Sequence, residues 1–158
     1  MFIKAMFEEE DDIPDSRNLP IFKKGMEIAE LVRALVDLIP EDNEILQEVG
    51  VWMMNDAHNL AVKVSGAEAG DLYDIKMECA AIIRRSAREL VVQTHSLEMH
   101  GFEETQYFQL LRDAVEEYRL LFIDWIETFD PWNYIIDRWG LFNPPGVGPH
   151  DQDPDDLY

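Results

Sequence analysis

The sequence predicts an all-α protein: an antiparallel up-down-up-down four-helix bundle with a short C-terminal helical and aromatic segment. Three observations predict it. Four long stretches place apolar residues every three or four positions, the period of one helix face. The breaks between them are short and carry Pro, Gly or Asp. The last stretch keeps a three-four-three-four rhythm without a slip, enough to face a core along its whole length.

Helix one is expected over Ile21 to Leu38. Pro20 suits its start, because its missing N–H would be unsatisfied there in any case. Phe22, Met26, Ala29, Val32, Val36 and Ile39 form the expected core row, with Leu31, Leu35 and Leu38 as a second row beside it. Pro40 ends the helix by disfavouring the helical conformation at Ile39. Helix two is expected from Asp42 to about Val64. Its row is Leu46, Val49, Met53, Ala57, Leu60 and Val64. Gly50, beside that row, costs about 1 kcal/mol against Ala, which fits a close helix crossing. Ser65 to Gly70, small and flexible, is expected to be the turn.

Helix three is expected to start with Asp71 as its N-cap, with Asp74 three residues on. Its row is Leu72, Ile75, Cys79, Ile82 or Ile83, Ala87, Leu90, Thr94 and Leu97. Gly101 is the expected left-handed C-cap, and His100 suits the negative end of the helix dipole. Helix four is expected from about Glu103 to Phe129. Phe108, Leu111, Val115, Tyr118, Phe122, Trp125 and Phe129 are its core row; Tyr107, Leu110, Ala114, Leu121 and Ile126 lie beside it.

The chain thus divides into an acidic N-terminal arm (1–19), the bundle (20–130), a short C-terminal helix (131–142) and an acidic disordered tail (143–158). In the arm, Met1 to Phe7 is apolar apart from Lys4, and Glu8-Glu9-Glu10-Asp11-Asp12 follows at once. The second rows on helices one and four exceed what a lone bundle needs, and exposed apolar patches mark contact surfaces. They predict a homo-oligomer, with Tyr107, Leu110, Leu121 and the C-terminal Trp132 and Trp139 as contacts; whether those aromatics pack in cis or in trans stays open.

Thirteen basic against 33 acidic residues give a net charge of −20, and −12 of it lies within residues 20–130. Such a field opposes phosphate-driven binding to nucleic acid or an anionic membrane. The only basic cluster is Arg84, Arg85 and Arg88. Arg84 and Arg88 stand one turn apart and suit a phosphate or carboxylate; an Arg85–Glu89 pair, at i,i+4, is the expected neutralisation. The single cysteine, Cys79, precludes an internal disulfide and points to a reducing, cytoplasmic setting. Residues 1–20 lack the basic start and apolar stretch of a leader peptide.

The stretches Leu19-Pro-Ile-Phe-Lys-Lys-Gly-Met-Glu-Ile28 and Ala61-Val-Lys-Val64 resemble a known family. So does the run from Cys79 to Phe129, with Leu90-Val-Val-Gln-Thr-His-Ser-Leu97 and the His100-Gly101-Phe102 turn. It is the four-helix-bundle family first named from proteins encoded in 23S rRNA intervening sequences, which includes retroelement accessory proteins. The resemblance covers about residues 19–130. It implies a bundle that assembles into a ring, pentameric in members of known architecture, and association with nucleic acid or a reverse transcriptase in some. Two features depart from the pattern: Ser65 to Gly70 replaces the usual Pro-Asn-Ile-Ala-Glu-Gly-like stretch, and the nucleic-acid-associated members are basic.

No catalytic, cofactor or metal site is expected. A di-metal carboxylate bundle needs Glu-x-x-His pairs on one helix face, whereas Glu98/His100 and Asp56/His58 are two apart and diverge. Glu27 and Glu30 form an E-x-x-E pair as used by Mg²⁺-dependent helical hydrolases, but Asp113 with Glu116 or Glu117 is an imperfect mate. Cys79 is expected to be a buried, inert thiol. The leading expectation is a non-enzymatic, self-assembling interaction module. The alternatives are an accessory protein acting on nucleic acid or a polymerase through the arginines, and a metal-dependent hydrolase.

Overall fold

The computed structural model describes residues 15–141 and 143–152. After a 3₁₀ turn at Ser16–Asn18 come α1 (Pro20–Val36), α2 (Glu44–Gly70), α3 (Tyr73–Met99) and α4 (Gln106–Glu127), with no strand among the described residues. Each helix packs on its neighbours around a square: α1 on α2, α2 on α3, α3 on α4 and α4 on α1. This is the expected antiparallel four-helix bundle.

Local chemistry sets most of the helix ends. Pro20 opens α1 at its first turn. The Asn43 side chain caps α2 by accepting from the Leu46 N–H at 3.1 Å. One residue group serves two helices here, because the Gln47 amide donates to the carbonyls of Ile39 and Pro40 that follow α1, at 3.3 and 3.2 Å. Gly101 has φ +91°, the left-handed residue the sequence predicts after α3.

The second connection differs from expectation. Ser65 to Gly70 is helical, not a turn. Ala67 is fully buried, and Glu68 accepts from the Trp125 indole N–H at 2.8 Å, so tertiary contacts override the weak local propensity. Asp71 therefore ends α2 in a left-handed conformation, φ 49°, instead of capping α3. The first N–H of α3, on Tyr73, is satisfied by the Asn133 carbonyl at 2.7 Å.

The core row of α2 is buried as expected, from Leu46 to Val64. That of α1 is rotated in part: Ala29, Val32 and Ile39 are buried as expected, but Ile21, Gly25, Ile28 and Leu35 also face inward, Phe22 and Val36 are only half-buried, and Met26 is exposed. Gly25 explains the rotation. A Cβ there would lie 2.7 Å from the Leu60 carbonyl oxygen, so α1 and α2 meet backbone to backbone at this point. Gly50 marks a second close approach, with a Cβ position 3.0 Å from Ile39 Cδ1. In α3 the first turns are rotated as well: Lys76 and Ala80 point inward, whereas Ile75 and Cys79 are only half-buried. Lys76, 7% exposed, has its Nζ 3.2 Å from Asp71 and 3.7 Å from Glu68, and lies over the Phe129 ring.

Residues 131–141 do not form the expected fifth helix. Asp137 accepts from the Trp139 and Leu141 N–H groups at 2.9 and 2.8 Å, and Asn143 brackets Asp137 with two further bonds. Such side-chain bonds to nearby backbone compete with helical ones. Residues 1–14 and 153–158, most of the expected arm and the end of the tail, lie outside the described residues. Arg138 donates to the carbonyls of Pro149 and Asp151, at 3.0 and 2.8 Å.

Candidate interaction groove

The four seams of the bundle are not equally closed. Small residues line the seams of α2: Gly50, Ala57, Ala61 and Ala67. Across the α3–α4 seam, α4 presents Tyr118, Phe122 and Trp125 instead, and larger side chains hold helix axes further apart. This seam is tied at its two ends. At the hairpin end Phe102 stacks on Phe108, with centroids 5.7 Å apart, and Arg112 donates to Thr94 Oγ1 at 3.2 Å. At the other end Trp125 meets Phe129 edge-on and Lys76 reaches over Phe129.

Between the ties lies a groove of about 570 Å³. Its floor is apolar: Ile83, Ala87 and Val91 from α3, Val115, Tyr118 and Phe122 from α4. Tyr118 is fixed by donating its hydroxyl to the Leu60 carbonyl at 2.7 Å, across the core. Burial pushes that phenol above its ordinary range, so it stays a neutral donor. Val92 and Ile123 stand exposed at the lip.

The rim is charged. Arg119 and Glu116 on α4 form a two-point pair, with 2.9 and 2.6 Å bonds; this contact lowers the Glu116 carboxyl and raises the guanidinium. Arg84 and Arg88 on α3 make no hydrogen bond or ion pair among the described residues. One helical turn separates them, so their guanidinium groups flank the same slot.

The three predicted arginines line one open cleft along α3 with Glu78 and Glu89, but only Arg84 and Arg88 also reach the α3–α4 groove. Arg85 is turned about 100° from Arg84 on the helix and lines a shallow cleft with Trp52, Asp56 and Glu89. The expected Arg85–Glu89 salt bridge is not formed, although both side chains line that cleft. Lys76, which would have extended the cluster, is buried instead. Of the other predicted contacts, Tyr107 and Leu110 are exposed, and Leu121 is half-buried against the core. Trp132 and Trp139 are 71% and 86% exposed, while Tyr134 and Ile136 between them are buried. The second rows of α1 and α4 are partly used up in the bundle itself: Leu35 and Ala114 are buried, and Leu31 packs on the core.

The enzyme alternatives meet specific neighbours. Lys24 on α1 sits between Glu27, at 2.8 Å, and Glu117 of α4. Its ammonium, held charged by Glu117 and then Glu27, occupies the place where the E-x-x-E carboxylates meet their mate. No group of three or more His, Cys, Asp or Glu with metal-holding geometry occurs among the described residues. Cys79 is half-buried, not buried as predicted, and burial raises its thiol above the ordinary value.

Of the groove residues, Ile83, Ala87, Val115, Tyr118 and Phe122 belong to the expected core rows, while Val91 and Ile123 fall in neither row. Ile83, Ala87 and Val91 at i,i+4 spacing next to two arginines is the signal that marks them. No family model matches the chain, and neither does any curated protein or solved structure.

Proposed function

We propose that this chain is a non-enzymatic, self-assembling interaction protein, and that the α3–α4 groove receives a protein segment that is apolar with carboxylates beside it. One observation carries this: an apolar slot flanked by two arginines, Arg84 and Arg88, that make no ion pair among the described residues, in a chain of net charge −20. Lys24, Lys76 and Arg119 are held by carboxylates of the same chain, whereas these two guanidinium groups beside an apolar slot are open to an incoming partner. Paired burial of apolar side chains and charge-assisted hydrogen bonds is what an interface centre requires. The volume falls within the ~300–1,000 Å³ of sites that bind ligands.

The resemblance to the intervening-sequence family supports a homo-oligomer, a pentameric ring being its fullest form. The lone Cys79 supports a cytoplasmic setting, and no helix among the described residues is long and apolar enough to cross a membrane. Arg84 and Arg88 also suit a phosphate, which keeps a nucleic-acid partner as the second reading; the acidic field of the whole chain opposes it.

Light scattering at rising concentration tests the reading. The native chain is expected to exceed the mass of a single chain, and Arg84→Glu with Arg88→Glu, or Ile123→Asp, to return it to monomer with its helicity intact. A native monomer at every concentration, or variants that assemble like the native chain, would remove the proposal. Salt-sensitive RNA or DNA binding that disappears in the arginine variants, without self-association, would establish the second reading.

A further inference from the structure

We infer that the occupant of the α3–α4 groove is the N-terminal arm of a second copy of this chain: Met1 to Phe7 in the slot, and Glu8 to Asp12 against Arg84 and Arg88. This rests on reading the groove as an interaction surface and adds who fills it.

The chemistry of arm and groove is complementary point by point. The arm places Phe2, Ile3, Met6 and Phe7 directly before five consecutive acids. The groove places an apolar floor directly beside Arg84, Arg88 and Arg119. The arm's single base is Lys4, and the groove's single acid is Glu116. A larger apolar cleft, of about 920 Å³, lies between α3 and the C-terminal segment, lined by Tyr73, Ile75, Met77 and Leu141. It carries Asp74, Glu78 and Asp137 and no base, so it repels the arm's acids.

Reach decides between the arm of the same chain and that of another. The 3₁₀ turn after the arm packs on α1 and α2 alone, with Ser16 Oγ 3.0 Å from Ser65 Oγ. The α1–α2 seam is opposite the α3–α4 seam. From Asp15 the extended chain reaches at most about 11 Å to Asp12 and about 25 Å to Glu8. Arg84 lies about 16 Å down α3 from Tyr73, and Ser65, where the turn is anchored, about 8 Å down α2 from Gly70, so an axial offset of about 9 Å remains. The route also crosses a bundle whose axes are about 8–10 Å apart. Only the far end of the acid run, fully extended, approaches the chain's own Arg84 and Arg88, whereas the whole run of a neighbour's arm can lie against them. An arm-in-groove contact of this kind closes as a reciprocal pair or a ring.

Disulfide capture in the full chain tests this. On a Cys79→Ser background, one tagged chain carries Phe7→Cys and an untagged chain carries Val92→Cys. Mixing and mild oxidation are expected to give a covalent heterodimer, lost in Arg84→Glu/Arg88→Glu. Phe2→Asp with Phe7→Asp is expected to weaken self-association more than about tenfold. Glu8→Lys with Glu9→Lys is expected to restore assembly of the arginine-reversed chain. Capture only within one chain, when both cysteines share it, would overturn the second-copy assignment. Association that depends on the groove but is indifferent to the arm variants would overturn the arm and leave the groove's role standing. If removal of residues 153–158 abolished association instead, the acidic tail would be the occupant and the arm would not.

Discussion

Helix α3 has two neighbours and treats them differently. Against α2 it closes over small residues: Ala57 and Ala67 on one side, Ala80 and Ser86 on the other, with Asn59 donating to Ser86 Oγ at 3.0 Å. Against α4 it is spanned by rings and held apart except at the ends. Both seams are apolar, so hydrophobicity does not separate them. Side-chain size does: small residues let backbones approach, and large ones leave a slot when nothing interdigitates. The closed seam stabilises the fold, and the open one is available to a partner.

The sharpest way to break that contrast uses two adjacent residues of α3. Leu90 is fully buried, whereas Val91 lines the groove. Leu90→Ala is expected to cost about 3–4 kcal/mol, from lost transfer energy and the cavity left behind. Val91→Ala is expected to cost less than about 1 kcal/mol, because solvent already reaches that site. Urea unfolding at a concentration below self-association measures both. Equal losses would mean that the seam closes in solution and that no groove exists.

A smaller effect, on the close side, comes from two glycines. At Gly25 an added Cβ meets backbone atoms of Leu60 and Ala61, at 2.7 to 3.0 Å, which cannot swing aside. Gly25→Ala is expected to destabilise by about 2 kcal/mol, the overpacking outweighing the gain of about 1 kcal/mol in helix propensity. Gly66, on the same α2 helix with nothing within 4 Å, is the control: Gly66→Ala is expected to stabilise by about 0.5–1 kcal/mol. Thermal unfolding of both variants decides it, and a stabilising Gly25→Ala would refute the tight crossing.

These same residues show what a sequence alone could reveal. The α2 row from Leu46 to Val64 was legible because periodicity and burial coincide there. The α1 face was placed in part: Ala29, Val32 and Ile39 are buried as expected, but Ile21, Ile28 and Leu35 were left out of the row because periodicity ranks glycine as empty, whereas Gly25 is the point of closest approach. Ser65 to Gly70 read as a turn because its helicity depends on Ala67 and Glu68 meeting residues far along the chain. The fifth helix failed because Asp137 and Asn143 bond locally to backbone, which apolar periodicity does not register. The arginines were visible, but not that Arg85 also lines the α2 side, where one residue step on a helix brings it. The groove itself was out of reach, since it depends on how far apart two helices stand.

The smallest effect concerns the charge held in the closed seam. Asp56 on α2 faces α3, with Ser86, Arg85 and Glu89 around it. Burial raises its carboxyl above the ordinary 3.8, and Glu89 adds to this; Ser86 and Arg85 pull the other way. The folded state therefore holds the Asp56 proton more tightly than the unfolded chain does. Its contribution to stability is fully present below the unfolded value and is lost as pH rises through the raised one. At neutral pH the ionised group is a net cost, kept to a few tenths of a kcal/mol by its partial exposure to solvent. Asp56→Asn is expected to raise the urea midpoint slightly at pH 7, by removing both the desolvated charge and its repulsion with Glu89. Below the ordinary carboxylate range the native side chain is itself neutral, so the gap between the two proteins should close. A gap that persists in acid, or an Asn variant less stable at pH 7, would show that Ser86 and Arg85 outweigh burial and that the closed seam favours the charge.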